Sequence, residues 1–322
     1  MLSPRIAGLP KAELHLHLEG SVRPAIVAAL AAQHGVSVTE EEVRQRYNYA
    51  GFAGFIEAFK WVTSLLRDPQ DYGLIAQDLA QQLLAQNVVY AEVTLSIGVM
   101  LLRRQQIEAN FEAILAATEP YLAQGLRFNW IFDAVRQFGP GSAMQVLEAA
   151  RRANNKSIVA FGIGGDELSV PTEEFRAVYD RAAENDLHRL IHAGETGGPE
   201  NIREAIEILG VERIGHGIAA IHDPALMDLL AARQIPLEIC PTSNICTGAL
   251  AHQLHRLDSQ LRDHPLAKLF RHGIPVLLST DDPSMFHTTL SAEYERAQEV
   301  GLTEDELARL VDLSFKHSFS AR

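Results

Sequence analysis

Eight short apolar runs set the fold of this chain. They lie at residues 12–18, 88–95, 126–134, 158–164, 188–193, 212–216, 236–240 and 274–280. Val88-Val89-Tyr90-Ala91-Glu92-Val93 and Pro275-Val276-Leu277-Leu278 are β-branched or nearly continuous apolar runs, the mark of strands covered on both faces in a parallel sheet. Helical patterns fall between the runs, at 105–123, 141–154, 172–185, 199–209, 223–233 and 289–299. Eight strands alternating with helices predict an α/β chain of the (β/α)8 TIM-barrel type. A doubly wound open sheet would need a chain reversal near the site, and the eight-fold count favours closure. The insertion after the first strand is long, residues 21–86, and reads as helices over 24–34, 40–47, 51–66 and 71–86. Within it Gly51-Phe52-Ala53-Gly54-Phe55 reads equally as a lid over the barrel mouth and as a helix start packed on the barrel. Residues 245–265 read as a polar, histidine-containing loop. No repeat or linker interrupts the pattern, so residues 1–322 are expected to form one barrel domain.

The bulk properties narrow the partners. A formal net charge of −13 argues against a broad nucleic-acid footprint. No apolar run approaches the ~20 residues of a membrane span, and the first residues lack the apolar core of a signal peptide. Two cysteines, Cys240 and Cys246, are too few for a disulfide framework and read as small thiols near a strand end. The expectation is a cytoplasmic protein acting on a small molecule, without nucleic-acid or membrane partners. The sequence leaves the oligomeric state open.

The chemistry sits where strands run out into loops. Lys11 to Gly20 reads Lys-Ala-Glu-Leu-His-Leu-His-Leu-Glu-Gly. In a strand, residues i and i+2 share a face, so His15 and His17 can reach one metal ion. His192 ends the run Leu190-Ile191-His192, and Glu195 follows in the next loop. A lone histidine on a strand is more often a hydrogen-bonded core residue, and a lone loop glutamate more often a helix cap. His216 lies between Gly215 and Gly217, which let backbone and ligand approach closely; alone it reads as a tight turn. Asp281 and Asp282 follow the last strand. Adjacent side chains diverge, so the two carboxylates have different jobs, and one of them competes as an N-cap. Each bland reading is credible singly. A barrel, however, gathers all four strand ends on one rim, the face where such enzymes keep their sites. Three imidazoles and a carboxylate suit zinc. Dinuclear barrel hydrolases use a bridging group, usually a modified lysine ending the fourth strand. Here that strand ends Gly162-Ile163-Gly164-Gly165, and Lys156 is at its start, so one metal ion per chain is expected.

Taken in order, His15-Leu-His17-Leu-Glu-Gly20, Gly165-Asp-Glu167, His192-Ala-Gly-Glu195, Gly215-His-Gly217, Pro241-Thr-Ser-Asn244 and Ser279-Thr-Asp-Asp282 resemble the adenosine deaminase family of metal-dependent barrel hydrolases, over essentially the whole chain. The resemblance implies zinc held by His15, His17, His192 and Asp281. It implies Glu195 as the acid that protonates N1 of a purine, and His216 as the group that orients and deprotonates the attacking water. It also implies Asp282 hydrogen-bonded to N7, the Gly165 backbone N–H near N3, and Glu19 at the sugar. A catalytically silent barrel would have lost a ligand or Glu195, and neither is lost.

Two departures bear on the substrate, expected to be a small-molecule purine nucleoside. Position 19 is Glu, where adenosine-specific members typically carry Asp. Val93-Thr94-Leu95-Ser96-Ile97-Gly98 replaces a segment in which they usually read Arg and Pro. The adenine-specific branch typically has serines where this chain has Gly165-Asp166. The reading is therefore a 6-aminopurine nucleoside, either adenosine or a 5′-extended relative such as 6-aminodeoxyfutalosine of menaquinone biosynthesis, with free adenine as the alternative.

Overall fold

The computed structural model describes residues 2–319. Eight parallel strands pair in sequence order: β1 (Lys11–His17), β2 (Val88–Leu95), β3 (Arg127–Val135), β4 (Ile158–Gly164), β5 (His188–Ala193), β6 (Arg213–His216), β7 (Leu237–Ile239) and β8 (Val276–Leu278). The barrel closes through a single parallel bridge between Leu16 and Asp281. There the Asp281 N–H donates to the His15 carbonyl at 2.9 Å, and the His17 N–H to the Asp281 carbonyl at 2.8 Å. The seam of the barrel is thus made by His15, His17 and Asp281, three of the candidate metal ligands.

β7 and β8 have three residues each, shorter than the runs at 236–240 and 274–280. Pro236 and Pro275 precede them and have no N–H to give a ladder. Beyond β8 the backbone turns left-handed at Asp281, φ +68°, which ends the extended run.

Between β1 and β2 stand a short 3-10 turn and helices Pro24–Gln33, Glu40–Arg46, Gly51–Leu65 and Pro69–Leu84. Local chemistry starts three of the four. Pro24 and Pro69 occupy first turns, and Thr39 with Glu42 and Asp68 with Asp71 form reciprocal capping boxes. Helix Gly51–Leu65 turns Phe55, Ala58, Val62 and Leu65 inward.

Several short helices fall outside the sequence pattern: Ile97–Leu102, Pro241–Cys246, Ala249–Gln253 and Leu266–Arg271. The stretch 245–265 is accordingly partly helical rather than a plain loop, and 172–185 divides into a 3-10 turn Thr172–Phe175 and helix Arg176–Glu184. Helix Glu304–Lys316 opens on a Thr303–Glu306 capping box, buries Leu307, Leu310 and Val311, and packs across β8 and β1, over the seam. Among the described residues, no helix is long and apolar enough to cross a membrane.

The barrel floor carries buried charge. Arg213 on β6 is 1% exposed and pairs with Glu92 at 2.6 Å and Glu238 at 2.5 Å. Phe319 plugs the floor. Its ring lies 3.7 Å from the Arg213 guanidinium and packs with Ile131, Val159, Ala160 and Leu190. Its carbonyl accepts from the Tyr90 hydroxyl at 2.6 Å, and its N–H donates to Glu92.

Candidate active site

The strand ends deliver His15 and His17 from β1, His192 from β5 and Asp281 from just beyond β8. Their ligand atoms lie within 4.8 Å of one another. Asp281 Oδ1 is 3.4 Å from Nε2 of both His15 and His17. Groups behind the quartet set its protons. Glu238 accepts from His15 Nδ1 at 2.8 Å, and the Ile163 carbonyl from His192 Nδ1 at 3.2 Å. In both rings Nε2 is therefore the nitrogen turned into the site. Burial lowers the pKa of His17 and His192 to about 3, so both present lone pairs. Burial also opposes charging of His15, but Asp281 and Glu238 outweigh it and raise its pKa to about 10; a cation binding there displaces that proton. His15 Nε2 is buried and has no hydrogen-bond partner. That nitrogen once its proton is displaced, two neutral imidazoles and a carboxylate fit a zinc ion in donor type and number. Ser243 Oγ holds Asp281 Oδ2 at 2.6 Å.

A second group of possible ligands, His34, Asp68 and Asp71, differs in kind. Asp71 Oδ2 is taken up by the N–H groups of Arg67 and Asp68 at 2.8 and 3.0 Å, so it serves as a helix cap.

Glu195 stands in the loop after β5, 7% exposed. Burial, then Asp281 and Glu167, raise its pKa to about 8, so near neutral pH it holds a proton to give. Its backbone is clamped. Gly194 turns left-handed at φ +71°, and the N–H groups of Gly194, Glu195, Thr196 and Gly197 all converge on the Glu167 carboxylate. From the other side Gln253 Nε2 donates to the carbonyls of Glu195 at 2.9 Å and Gly197 at 2.7 Å. Thr247 Oγ1 lies 3.4 Å from Glu195 Oε1. His216 Nε2 is 3.7 Å from Glu195 Oε2 and 3.8 Å from Asp281 Oδ2. His216 and Asp281 both hold positive φ, +62° and +68°, strain of order 1–3 kcal/mol for a non-glycine residue.

A sequence model of the adenosine deaminase family matches residues 10–322. The chain belongs to the adenosine deaminase family. It is 39% identical over 321 residues to an aminodeoxyfutalosine deaminase of Streptomyces coelicolor, covering 98% of this chain and 81% of that one. It is 34% identical over 319 residues to an adenine deaminase of the same organism, covering 97% and 90%. The solved adenine deaminase of Arthrobacter aurescens superposes with a TM-score of 0.87 at 30% identity, over 97% of this chain and 94% of that one.

In this family member the motif glycines have steric reasons. A Cβ on Gly20 would sit 1.7 Å from Asp282 Oδ1; Gly20 is the space into which the Asp282 carboxyl fits. That oxygen is buried with no hydrogen-bond partner. A Cβ on Gly215 would meet His15 Cε1 at 2.9 Å. Gly165, φ +99°, would press on Gln137 Oε1 at 2.5 Å. Neither aspartate of the pair caps the helix that follows; Thr289 caps Leu290–Glu299.

A cavity of about 260 Å³ opens over the site, with His17, His192, Glu195, His216, Asp281, Asp282 and Gly165 in its wall. Glu19 is not in that wall. It is 1% exposed, and its carboxylate accepts from Ser96 N–H and Oγ, both at 3.1 Å; Ser96 faces the cavity in its place. The wall also includes Phe52, Phe55 and Phe59 of helix Gly51–Leu65, with Leu102, Lys60 and Arg103. The aromatic segment thus starts a packed helix that forms one side of the cavity.

Sequence reasoning passed over Asp133 on β3, which lines the cavity, along with Glu238 behind His15 and Gln253 behind Glu195. Glu167 and Asn244 stood inside recognised motifs without an assigned role. The available signal was their motif position; their partners lie 20 or more residues away in sequence.

Proposed function

We propose that this chain hydrolyses the 6-amino group of a purine nucleoside to the 6-oxo product and ammonia, as a single domain holding one zinc ion with His15, His17, His192 and Asp281. The observation that carries this reading is the convergence of that ligand quartet beside a cavity whose wall holds His17, His192 and Asp281 together with a protonated, clamped Glu195. The ion, when bound, supplies Lewis-acid activation, lowering the pKa of water towards ~7. Glu195 gives its proton to N1, which lets C6 accept the nucleophile. As a carboxylate it then collects the proton of the new C6 hydroxyl and passes it to the departing amine. Asp282 addresses N7, the Gly165 N–H approaches N3, and His216 orients the water.

Within this reading the substrate is a nucleoside extended at the 5′ position. The relatives include proteins named for aminodeoxyfutalosine and for adenine. Three features support the longer substrate: Glu19 is turned away onto Ser96, the outer wall is apolar, and Lys60 and Arg103 stand beside it. Adenine alone would leave that wall without a partner. Ammonia release from 6-aminodeoxyfutalosine, adenosine, 2′-deoxyadenosine, S-adenosylhomocysteine and adenine tests the reading. The 5′-extended nucleoside is expected to have the highest kcat/KM, and equal or better turnover of adenosine or adenine would refute that preference.

A further inference from the structure

We propose that His216 is a fixed hydrogen-bond donor rather than a base, and that Asn244 and His264 are the positioning residues that make it one. The catalytic consequence rests on the deaminase reading above; the hydrogen-bond geometry does not.

A backbone amide N–H is invariably a donor. The Leu266 N–H donates to His264 Nδ1 at 3.1 Å, so Nδ1 carries no proton and the His264 hydrogen is on Nε2. His264 Nε2 lies 3.2 Å from Asn244 Oδ1 and donates to it. That contact fixes which end of the Asn244 amide is oxygen. The other end, Nδ2, is 3.1 Å from His216 Nδ1, and an amide nitrogen can only donate. His216 Nδ1 is therefore an acceptor, and the ring hydrogen is on Nε2. Nε2 points to the site, 3.7 Å from Glu195 Oε2 and 3.8 Å from Asp281 Oδ2. All three relay residues are buried: His216 at 1%, Asn244 at 0% and His264 at 4% exposure.

The consequence is chemical. A neutral imidazole with its hydrogen on Nε2 has one basic lone pair, on Nδ1, and here that lone pair faces Asn244 rather than substrate. A proton taken from the site has no acceptor position on this ring, and a cationic His216 would set two donors against each other at Nδ1. His216 can donate to the attacking oxygen and stabilise charge as it develops there. His15 shows the opposite setting. The carboxylate of Glu238 behind it draws the hydrogen to Nδ1, leaving Nε2 for a cation.

Proton balance then falls to Glu195. It gives its proton to N1 as the C6–O bond forms. It takes the proton of the C6 hydroxyl and hands it to the amino nitrogen, and the C6–N bond breaks as ammonia leaves. Solvent returns to Glu195 the proton released when the water ionised.

The tautomer is read directly from the ring-nitrogen resonances of histidine-15N-labelled protein, with His216 assigned by its loss in His216→Gln. The expectation is a pyridine-like Nδ1 and a pyrrole-like Nε2; the reverse pair overturns the proposal. This measurement needs no turnover, so a protein inactive on every purine would end the deaminase reading while leaving the tautomer decided. Asn244→Asp supplies a carboxylate that accepts from both histidines and should move the His216 hydrogen to Nδ1. With adenosine or 6-aminodeoxyfutalosine as probe, kcat should then fall by ~10² through loss of one donor, with metal content unchanged. A base would be strengthened by the same change, so kcat at or above the wild-type value contradicts the proposal. His216→Gln, whose amide can still donate, should exceed His216→Ala by at least ~10-fold; equal losses contradict it.

Discussion

The floor and the rim of the barrel both bury ionisable side chains and behave in opposite ways. On the floor Arg213, Glu92 and Glu238 are buried and paired within 2.6 Å, and Phe319 seals them from water. One guanidinium serves two acids. Burial alone would push both carboxyls up, but Arg213 with His15 as a second partner holds Glu238 at about 2, while Glu92 is left raised. On the rim the buried groups are incomplete. His15 Nε2 comes only to within 3.4 Å of Asp281 Oδ1, against 2.5 and 2.6 Å for the floor pairs; Asp282 Oδ1 has no hydrogen-bond partner, and His17 and His192 are held neutral. Buried charge that finds its partner inside the chain holds structure; buried polar groups that do not are arranged for something outside it. Glu238 joins the two regions, with Arg213 on one side and His15 on the other.

The rim should break completely and locally. His17→Ala is expected to lose the metal and, with it, at least ~10³ in activity, since Lewis-acid stabilisation contributes several kcal/mol. Metal analysis and circular dichroism check that the fold survives. Two metal equivalents in the wild type, or full retention in the variant, would sink the one-ion site. Glu195→Gln should keep the metal and bind substrate, yet turn over ~10²–10⁴ more slowly, the usual contribution of an acid. Near-normal kcat would mean another group protonates the ring.

The floor should break globally instead. Arg213→Met leaves Glu238 without its cation and is expected to cost about 3–5 kcal/mol of stability, read by urea denaturation. An unchanged midpoint would mean that the floor charges are not coupled to folding. The clamp on the rim should break more mildly. Glu167→Gln leaves one oxygen for four N–H groups, so kcat should fall by ~10- to 100-fold with little change in KM, following the ~1–3 kcal/mol cost of buried unsatisfied donors.

The smallest effect belongs to neither region. Glu306 is held at about 2, first by its hydrogen bond to Arg271 and then by the Thr303 N–H. A depressed acid stabilises above its unfolded pKa and loses that contribution as pH falls through the folded value. Its share should therefore vanish between about pH 4.5 and 2. On this exposed surface it amounts to less than about 1 kcal/mol. Comparing the acid denaturation of wild type and Glu306→Gln measures it.

What was legible in the sequence follows the same division. The strands were readable because a parallel barrel demands apolar runs, and the rim residues because they interrupt those runs at their ends. The floor was not. Nothing in the sequence pairs Glu92, Arg213 and Glu238 with one another, and only closure of the barrel brings them together. Glu238 meets His15 across 223 positions of sequence. Helices Ile97–Leu102 and Pro241–Cys246 have six residues each, too few turns for a periodicity to register. Glu19 was expected at the sugar. It is adjacent to the ligand strand, but its carboxylate is satisfied by Ser96, a partner on the next strand's loop that spacing could not reveal.

The most direct test of the rim as a purine-hydrolysing centre is a single ammonia-release assay. It uses zinc-loaded protein, with 6-aminodeoxyfutalosine, adenosine and adenine in parallel and His17→Ala as the blank. The account predicts stoichiometric ammonia and the 6-oxo product from at least one of the three, highest kcat/KM for the 5′-extended nucleoside, and none with the blank. No ammonia from any of them with metal bound, or equal release by wild type and blank, would contradict it.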